Sequence, residues 1–190
     1  MPAARLVLAS ASPRRAEILA SLGIAFRVTV SGVDERLLAG ESGAGAAERL
    51  ARAKALAVSA GESLPVLGAD TVVVCGDEVL GKPQTPAEAA GMLRRLAGRE
   101  HDVITGVCLV VAGQAVSGRE RTVVRFAPMS EPDIAAYVAT GEPMDKAGAY
   151  HVVGRGAQFI AGIDGSPSNV AGLPVRLVFD LARRAGLALA

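Results

Sequence analysis

PVLGADTVVVCGDEVLGKP, residues 65–83, is an apolar run rich in β-branched residues that turns and comes back. A run of this kind, bounded by Gly and Pro, reads as a buried strand. Asp70 sits in its middle, with Val66 and Leu67 before it and Val72, Val73 and Val74 after it. A carboxylate among valines costs roughly several kcal/mol to bury without a partner. A turn or capping Asp beside Gly68 is the plain account of it. After the turn at Gly76-Asp77, however, the chain returns through Glu78-Val79-Leu80 to Gly81-Lys82-Pro83. The hairpin is expected to bring an acid and a lysine to one region of a sheet. That is a way to hold a metal-binding carboxylate and a phosphate-binding ammonium near each other.

Upstream, Arg5 to Ala9 reads as a short buried strand, followed by Ser10-Ala11-Ser12-Pro13-Arg14-Arg15 and then AEILASLG. Ser12 suits an N-cap, Pro13 the first helical position and Gly23 the helix end. Two serines and two arginines therefore stand at a helix N-terminus after a strand. Such an end is either an ordinary capped helix with solvated arginines or an anion site built from free amides, the helix dipole and guanidiniums. Ala25 to Val30 is a second strand candidate, leading into a loop with the adjacent acids Asp34 and Glu35. Ala46 to Ala60 is expected to be a helix with Leu50, Ala53 and Ala57 on one face. On periodicity alone Lys54, next to that face, reads as a surface lysine lying along apolar neighbours.

Downstream, Thr85-Pro86-Ala87-Glu88 is a capping box with Pro at the first position, and opens a helix that runs to Ala97. His101–Val111 and Ala115–Phe126 are expected as two long strands, and Ser130-Glu131-Pro132-Asp133 as a further capped start. Residues 142–150 are irregular and polar, with Asp145-Lys146 readable as a surface pair. A strand through Phe159 to Ile163 and a final helix from Val175 to Ala185 complete the chain. Strands and helices are intermixed throughout, so the class is α/β or α+β with a mixed sheet. No linker, internal repeat or low-complexity segment divides residues 1–190, which read as one domain.

The totals narrow the function. At 190 residues with a formal net charge of +1, the chain shows no electrostatic footprint of nucleic-acid or membrane binding. Only LVLA separates Arg5 from Ser10, and no apolar run approaches the roughly 20 residues of a spanning helix. A cytoplasmic protein is the expectation. Cys75 and Cys108 lie in strand-like apolar runs and are expected as buried, reduced thiols. Of the 20 basic residues only Lys54, Lys82 and Lys146 are lysine, so these positions stand out in an Arg-rich chain.

SASPRR at 10–15, GVDER at 32–36, LARAKA at 50–55, GADTVV at 68–73, LGKP at 80–83, EPMDKAGAY at 142–150 and NVAGLPV at 169–175 together resemble the Maf family, in family order and over nearly the whole chain. All three lysines fall inside these runs. The resemblance implies a nucleoside triphosphate pyrophosphatase that releases the monophosphate and pyrophosphate with a divalent cation, Mg²⁺ or Mn²⁺. It also implies an α/β fold with an elongated mixed sheet flanked by helices, two lobes around a deep nucleotide cleft and likeness to the inosine triphosphate pyrophosphatases. Homodimers occur in the family. Some members are linked to septum formation, and the alternative activity is a nucleotide-binding regulator of that process.

Position by position, Asp70 matches the family's proton acceptor and Glu35 a carboxylate near metal and triphosphate, the two being the implied metal ligands. Ser10, Arg15, Lys54 and Lys82 match polar and basic residues needed for activity, with Lys82 counted as catalytic. Lys146 lies in the EPMDKAGAY run and is grouped with the substrate-binding residues. Arg14 and Thr71 match positions tied to base selection in the branch acting on dTTP and UTP. That branch reads Tyr-Gly-Ile-Gln-Gly where this chain has Tyr150-His151-Val152-Val153-Gly154, so Val153 takes the place of a Gln.

Overall fold

The chain forms a mixed sheet of short and long strands, seen in a computed structural model that describes residues 5–189. The strands are β1 (Leu6–Leu8), β2 (Phe26–Val28), β3 (Val66–Cys75), β4 (Glu78–Leu80), β5 (Glu100–Val111), β6 (Gln114–Phe126) and β7 (Ile160–Asp164). The helices are α1 (Pro13–Ser21), α2 (Gly43–Ser59), α3 (Pro86–Leu96), α4 (Glu131–Ala139), α5 (Pro167–Val170) and α6 (Val175–Arg184). Six strands follow the order β2-β1-β3-β5-β6-β7, and β4 pairs with β3. β1 is parallel to β2 and β3, whereas β3–β4 and β6–β7 are antiparallel. Among the described residues no helix is long and apolar enough to cross a membrane.

The chain divides into two compact units. Of the described residues, 5–70, 105–120 and 172–189 make the first. Its core follows from strand alternation, because successive side chains point to opposite faces. Leu6, Leu8, Leu67, Ala69, Val107 and Leu109 pack on one side with Leu19 of α1 and Val178 and Leu181 of α6. Val7, Ala9, Val66, Cys108 and Val110 pack on the other with Ala51, Ala55 and Val58 of α2. Helix α2 starts at Gly43, three residues earlier than the periodicity predicts, because the Ser42 side chain accepts from the Gly45 amide at 3.1 Å. Ser12 occupies the N-cap position of α1, yet its side chain makes no capping bond. Its amide instead donates to Ser10 Oγ at 3.2 Å.

Residues 71–104 and 121–171 make the second unit. Its core gathers Val73, Leu80, Leu93, Val103, Phe126 and Ile134, with the rings of Tyr137, Tyr150 and Phe159. Thr85 Oγ1 accepts from the Glu88 amide at 3.1 Å. The Glu88 carboxylate, however, accepts from the Gln84 amide at 2.8 Å and not from Thr85, so the predicted box is only half formed. Ser130 and Asp133 form a reciprocal capping box. The irregular stretch after α4 resolves into 3₁₀ turns at Glu142–Asp145 and Ala147–Ala149, and a third covers Arg155–Phe159. Both cysteines are free. Cys108 is buried, and burial pushes its thiol up to about 11. Cys75 is only half-buried, with its thiol 3.7 Å from the Arg95 carbonyl oxygen.

Candidate active site

The site in the first unit is built by two glycines. Gly68 of β3 and Gly106 of β5 point at α2, where a side chain would have no room. A Cβ on Gly68 would collide with the Ala51 carbonyl and lie 2.8 Å from the Ala55 nitrogen, and one on Gly106 would lie 2.6 Å from Glu48 Cα. Helix α2 therefore rests directly on the strand backbone. Asp70 is two residues beyond Gly68 and so shares its face. Lys54, which precedes Ala55 on α2, reaches that face with Nζ 2.6 Å from Asp70 Oδ1.

Lys54 is thus not the surface lysine its periodicity predicts. It is 5 % exposed, and Asp70 is 7 % exposed. Burial of either charge alone would be costly, and the pair compensates both. Glu35 completes the group from the loop before α2, with Oε1 2.6 Å from the same ammonium. One lysine therefore holds two carboxylates, whose bonded oxygens lie within twice that distance of one another. Asp70 is buried, while the Glu35 side chain is about half exposed.

Arg15 and Ser10 flank these charges. Arg15 is buried, with Nε donating to the Gly172 carbonyl at 2.8 Å and one terminal nitrogen to Ser10 Oγ at 2.9 Å. Burial lowers the Arg15 pKa from its ordinary value, and attraction to Asp70 and Glu35 opposes the loss. It stays a cation, as guanidiniums in proteins do. Arg14 makes an ion pair with Glu17 at 2.7 Å across one helical turn.

The loop carrying Glu35 is secured by a residue that the sequence patterns do not mark. Arg49 of α2 makes a two-pronged bond to Glu41, 2.6 Å at each oxygen, and donates to the Arg36 carbonyl at 3.2 Å. Asp34 accepts from the Arg36 amide and guanidinium, which hold its carboxyl below the usual range. Glu41 stands just before the N-cap of α2 and Arg49 lies inside the helix. Only the closed loop brings them together.

Lys82, Lys146, Thr71 and Val153 belong to the second unit. Lys146 is paired with Asp145, and the charge of Lys82 also helps hold the Asp145 carboxyl below its usual range against the upward push of burial. The Gly148 amide donates to the Gly81 carbonyl at 3.0 Å, tying the EPMDKAGAY run to the Lys82 segment. Gly148 has φ +72°, and a Cβ there would lie 2.9 Å from a Val73 methyl, so this tie needs glycine. Thr71 follows Asp70 in β3, and Val153 is 66 % exposed in the segment before the third 3₁₀ turn.

The chain is similar to known proteins along almost all of its length. It is 52% identical over 183 residues to the dTTP/UTP pyrophosphatase of Symbiobacterium thermophilum, covering 96% of this chain and 94% of the relative. To the dTTP/UTP pyrophosphatase of Moorella thermoacetica it is 53% identical over 180 residues, covering 93% of each. To that of Geobacter sulfurreducens it is 48% identical over 196 residues, covering 98% and 99%. Among solved structures, the Ham1 protein of Staphylococcus aureus is 12% identical at a TM-score of 0.48, covering 95% of this chain and 96% of that one. The profile of the Maf-like protein family matches residues 5–185. With that match and relatives at about half identity, the chain belongs to the Maf family.

Proposed function

We infer that this chain is a nucleoside triphosphate pyrophosphatase that accepts dTTP and UTP. The observation that carries this is the buried Lys54 ammonium shared by Asp70 and Glu35 beside Arg15, in a chain about half identical to relatives named dTTP/UTP pyrophosphatases. Hydrolysis at the α-phosphorus needs a proton acceptor for water and cationic donors for phosphate oxygens. Asp70 takes the proton of the attacking water. The water oxygen bonds to the α-phosphorus, the α–β anhydride bond breaks, and its electron pair leaves on pyrophosphate. Lys54 keeps Asp70 aimed, and Arg15, held by Gly172 and Ser10, faces phosphate oxygens. Lys82 and Lys146 are assigned to binding the triphosphate, Lys82 countering the charge on the leaving pyrophosphate.

The donor set fits a divalent cation. Mg²⁺ is usually held by one or two carboxylates, with substrate phosphates and waters completing the octahedron. Asp70 and Glu35 supply two hard oxygen donors a short span apart. Among the described residues no group of three or more His, Cys, Asp or Glu forms an all-protein cage. Asp70 and Glu35 would therefore hold the ion together with the triphosphate. When bound, Mg²⁺ or Mn²⁺ neutralises phosphate charge and polarises the phosphoryl oxygens.

A nucleotide panel with Mg²⁺ or Mn²⁺ tests the assignment, following monophosphate and pyrophosphate together. Equal release of the two from dTTP and UTP is expected. Stepwise release of orthophosphate, or nucleotide binding without turnover, would overturn it.

A further inference from the structure

Glu142 opens the first 3₁₀ turn after α4, and its carboxylate accepts from α4 and from one later segment of chain. Oε1 accepts from the Tyr137 hydroxyl at 2.8 Å and from the Gly156 amide at 3.0 Å. Oε2 accepts from the Arg155 amide at 3.0 Å. The Tyr137 oxygen in turn accepts from the His151 amide at 3.1 Å. Carboxylate and phenol thus grip both ends of residues 151–156. Hydrogen bonds to an ionised acceptor are roughly twice as strong as neutral ones.

The rest of the segment is shaped to close on this grip. A Cβ on Gly154 would lie 2.6 Å from the Glu142 carboxyl carbon, and one on Gly156 would lie 2.6 Å from the Tyr137 oxygen. Tyr137 cannot yield, being buried and packed edge-on to Phe159 with ring centres 5.4 Å apart. Val153 stands between the two anchored ends, largely in solvent. A solvated valine needs no such holding for its own sake. A contact residue for a ligand does, because a misplaced wall discriminates poorly.

We propose that Glu142, acting through Tyr137 and the amides of Arg155 and Gly156, is a positioning residue for base selection, setting where Val153 meets the nucleotide base. It rests on the pyrophosphatase assignment above and on the family resemblance that puts residue 153 at the base. The role assigned to Glu142 is positioning alone, through one amide of this segment at each oxygen and the Tyr137 hydroxyl.

Glu142→Ala, Glu142→Gln and Tyr137→Phe in the full chain test it by two readouts. Amide hydrogen exchange reads the grip, and kcat/KM for UTP, dTTP, CTP and GTP reads the base range. Glu142→Ala is expected to speed exchange at 151–156 by about tenfold or more. It should change the UTP-to-CTP ratio by about fivefold or more through KM, with kcat nearly kept. Glu142→Gln keeps one oxygen acceptor and should fall between wild type and Ala. Tyr137→Phe keeps the ring packing, so it serves should the Ala variant not fold, and should loosen the His151 end more than the Arg155–Gly156 end, which keeps its two amide bonds to Glu142. Faster exchange with unchanged base ratios would overturn the proposal, as would unchanged exchange or an equal fall in kcat for every nucleotide. A wild type without pyrophosphatase activity would sink the enzyme assignment instead, and is seen before any variant is made.

Discussion

Asp70 Oδ1 lies 2.6 Å from the Lys54 ammonium, with no more than 10% of either side chain in water. Removing one partner of a buried pair typically costs about 3–5 kcal/mol, because the other charge is stranded. Here Glu35 shares the lysine, so the two ends of the pair are not equivalent. Loss of Asp70 leaves the ammonium one carboxylate, whereas loss of Lys54 leaves two carboxylates facing each other. Lys54→Met is therefore expected to lower thermal stability more than Asp70→Asn. Equal melting temperatures for the two variants would contradict the shared-cation geometry.

Asp70→Asn should keep the shape of the site and lose its basicity. Turnover is expected to fall by about 10²–10⁴-fold, the range of general-base catalysis, with an unchanged far-ultraviolet circular dichroism spectrum. A near-normal kcat would remove Asp70 from the mechanism. Lys82→Ala should lower kcat/KM through weaker charge stabilisation of the leaving group, measured in the same assay.

The seating of α2 on glycine gives a prediction remote from the chemistry. Gly106→Ala places a methyl against the Ala47 carbonyl and 2.6 Å from Glu48 Cα. Overpacking of this kind costs about 1–3 kcal/mol and should shift α2, and Lys54 with it. Stability and activity should fall together. Gly91→Ala is the control: it lies inside α3 with nothing within 4 Å of the new Cβ, and should stabilise by about 1 kcal/mol. Urea unfolding of both variants, with activity assays, checks the contrast.

His101 predicts a pH dependence of stability. It is buried, with Nε2 2.9 Å from the Tyr150 hydroxyl and its ring edge-on to Phe126. Burial lowers its pKa from 6.5 to about 4, with Asp102 opposing. Between those values the unfolded chain binds the proton and the folded one does not, so stability rises with pH across this window. The neutral-ring contribution is full above about 6.5 and is lost as pH falls through about 4. Its size is about 3 kcal/mol. Subtracting the stability–pH curve of His101→Phe from that of wild type should isolate this slope. A difference curve flat from pH 7 to about 4 would refute it.

Val153→Gln should sharpen the base range. A Gln amide offers a donor and an acceptor to a base edge that presents a carbonyl and a ring N–H, whereas valine offers apolar contact. Apolar walls discriminate by roughly 1–3 kcal/mol per feature, far less than a site left with unpaired polar groups. Selectivity for UTP and dTTP over CTP and purines should therefore rise in the variant. A wild type confined to dTTP and UTP, with no change on substitution, would show that Val153 does not set the range.

Much of this protein was legible in its sequence because the signals are local. Leu6 and Leu8 against Val7 and Ala9 mark the two faces of β1, and both faces are buried as that continuous apolar run requires. Thr85 with Glu88 and Ser130 with Asp133 start helices through bonds spanning three residues. The seven motifs marked the family, and with it Asp70, Glu35 and Lys82 as implied catalytic residues and Lys54 as a substrate-binding one. What those residues do to one another was decided only by tertiary structure. Lys54 and Asp70 are 16 residues apart, and Arg15 and Gly172 are 157 apart. Lys54 lies beside the apolar stripe of α2, so periodicity places it at the surface; it is buried because Gly68 and Gly106 let the helix settle onto the strands. Glu142 likewise gains its role from Tyr137, Arg155 and Gly156, which share no period with it. Helix and strand patterns report contacts within a few residues, whereas the approach of one backbone to another depends on the whole packed core.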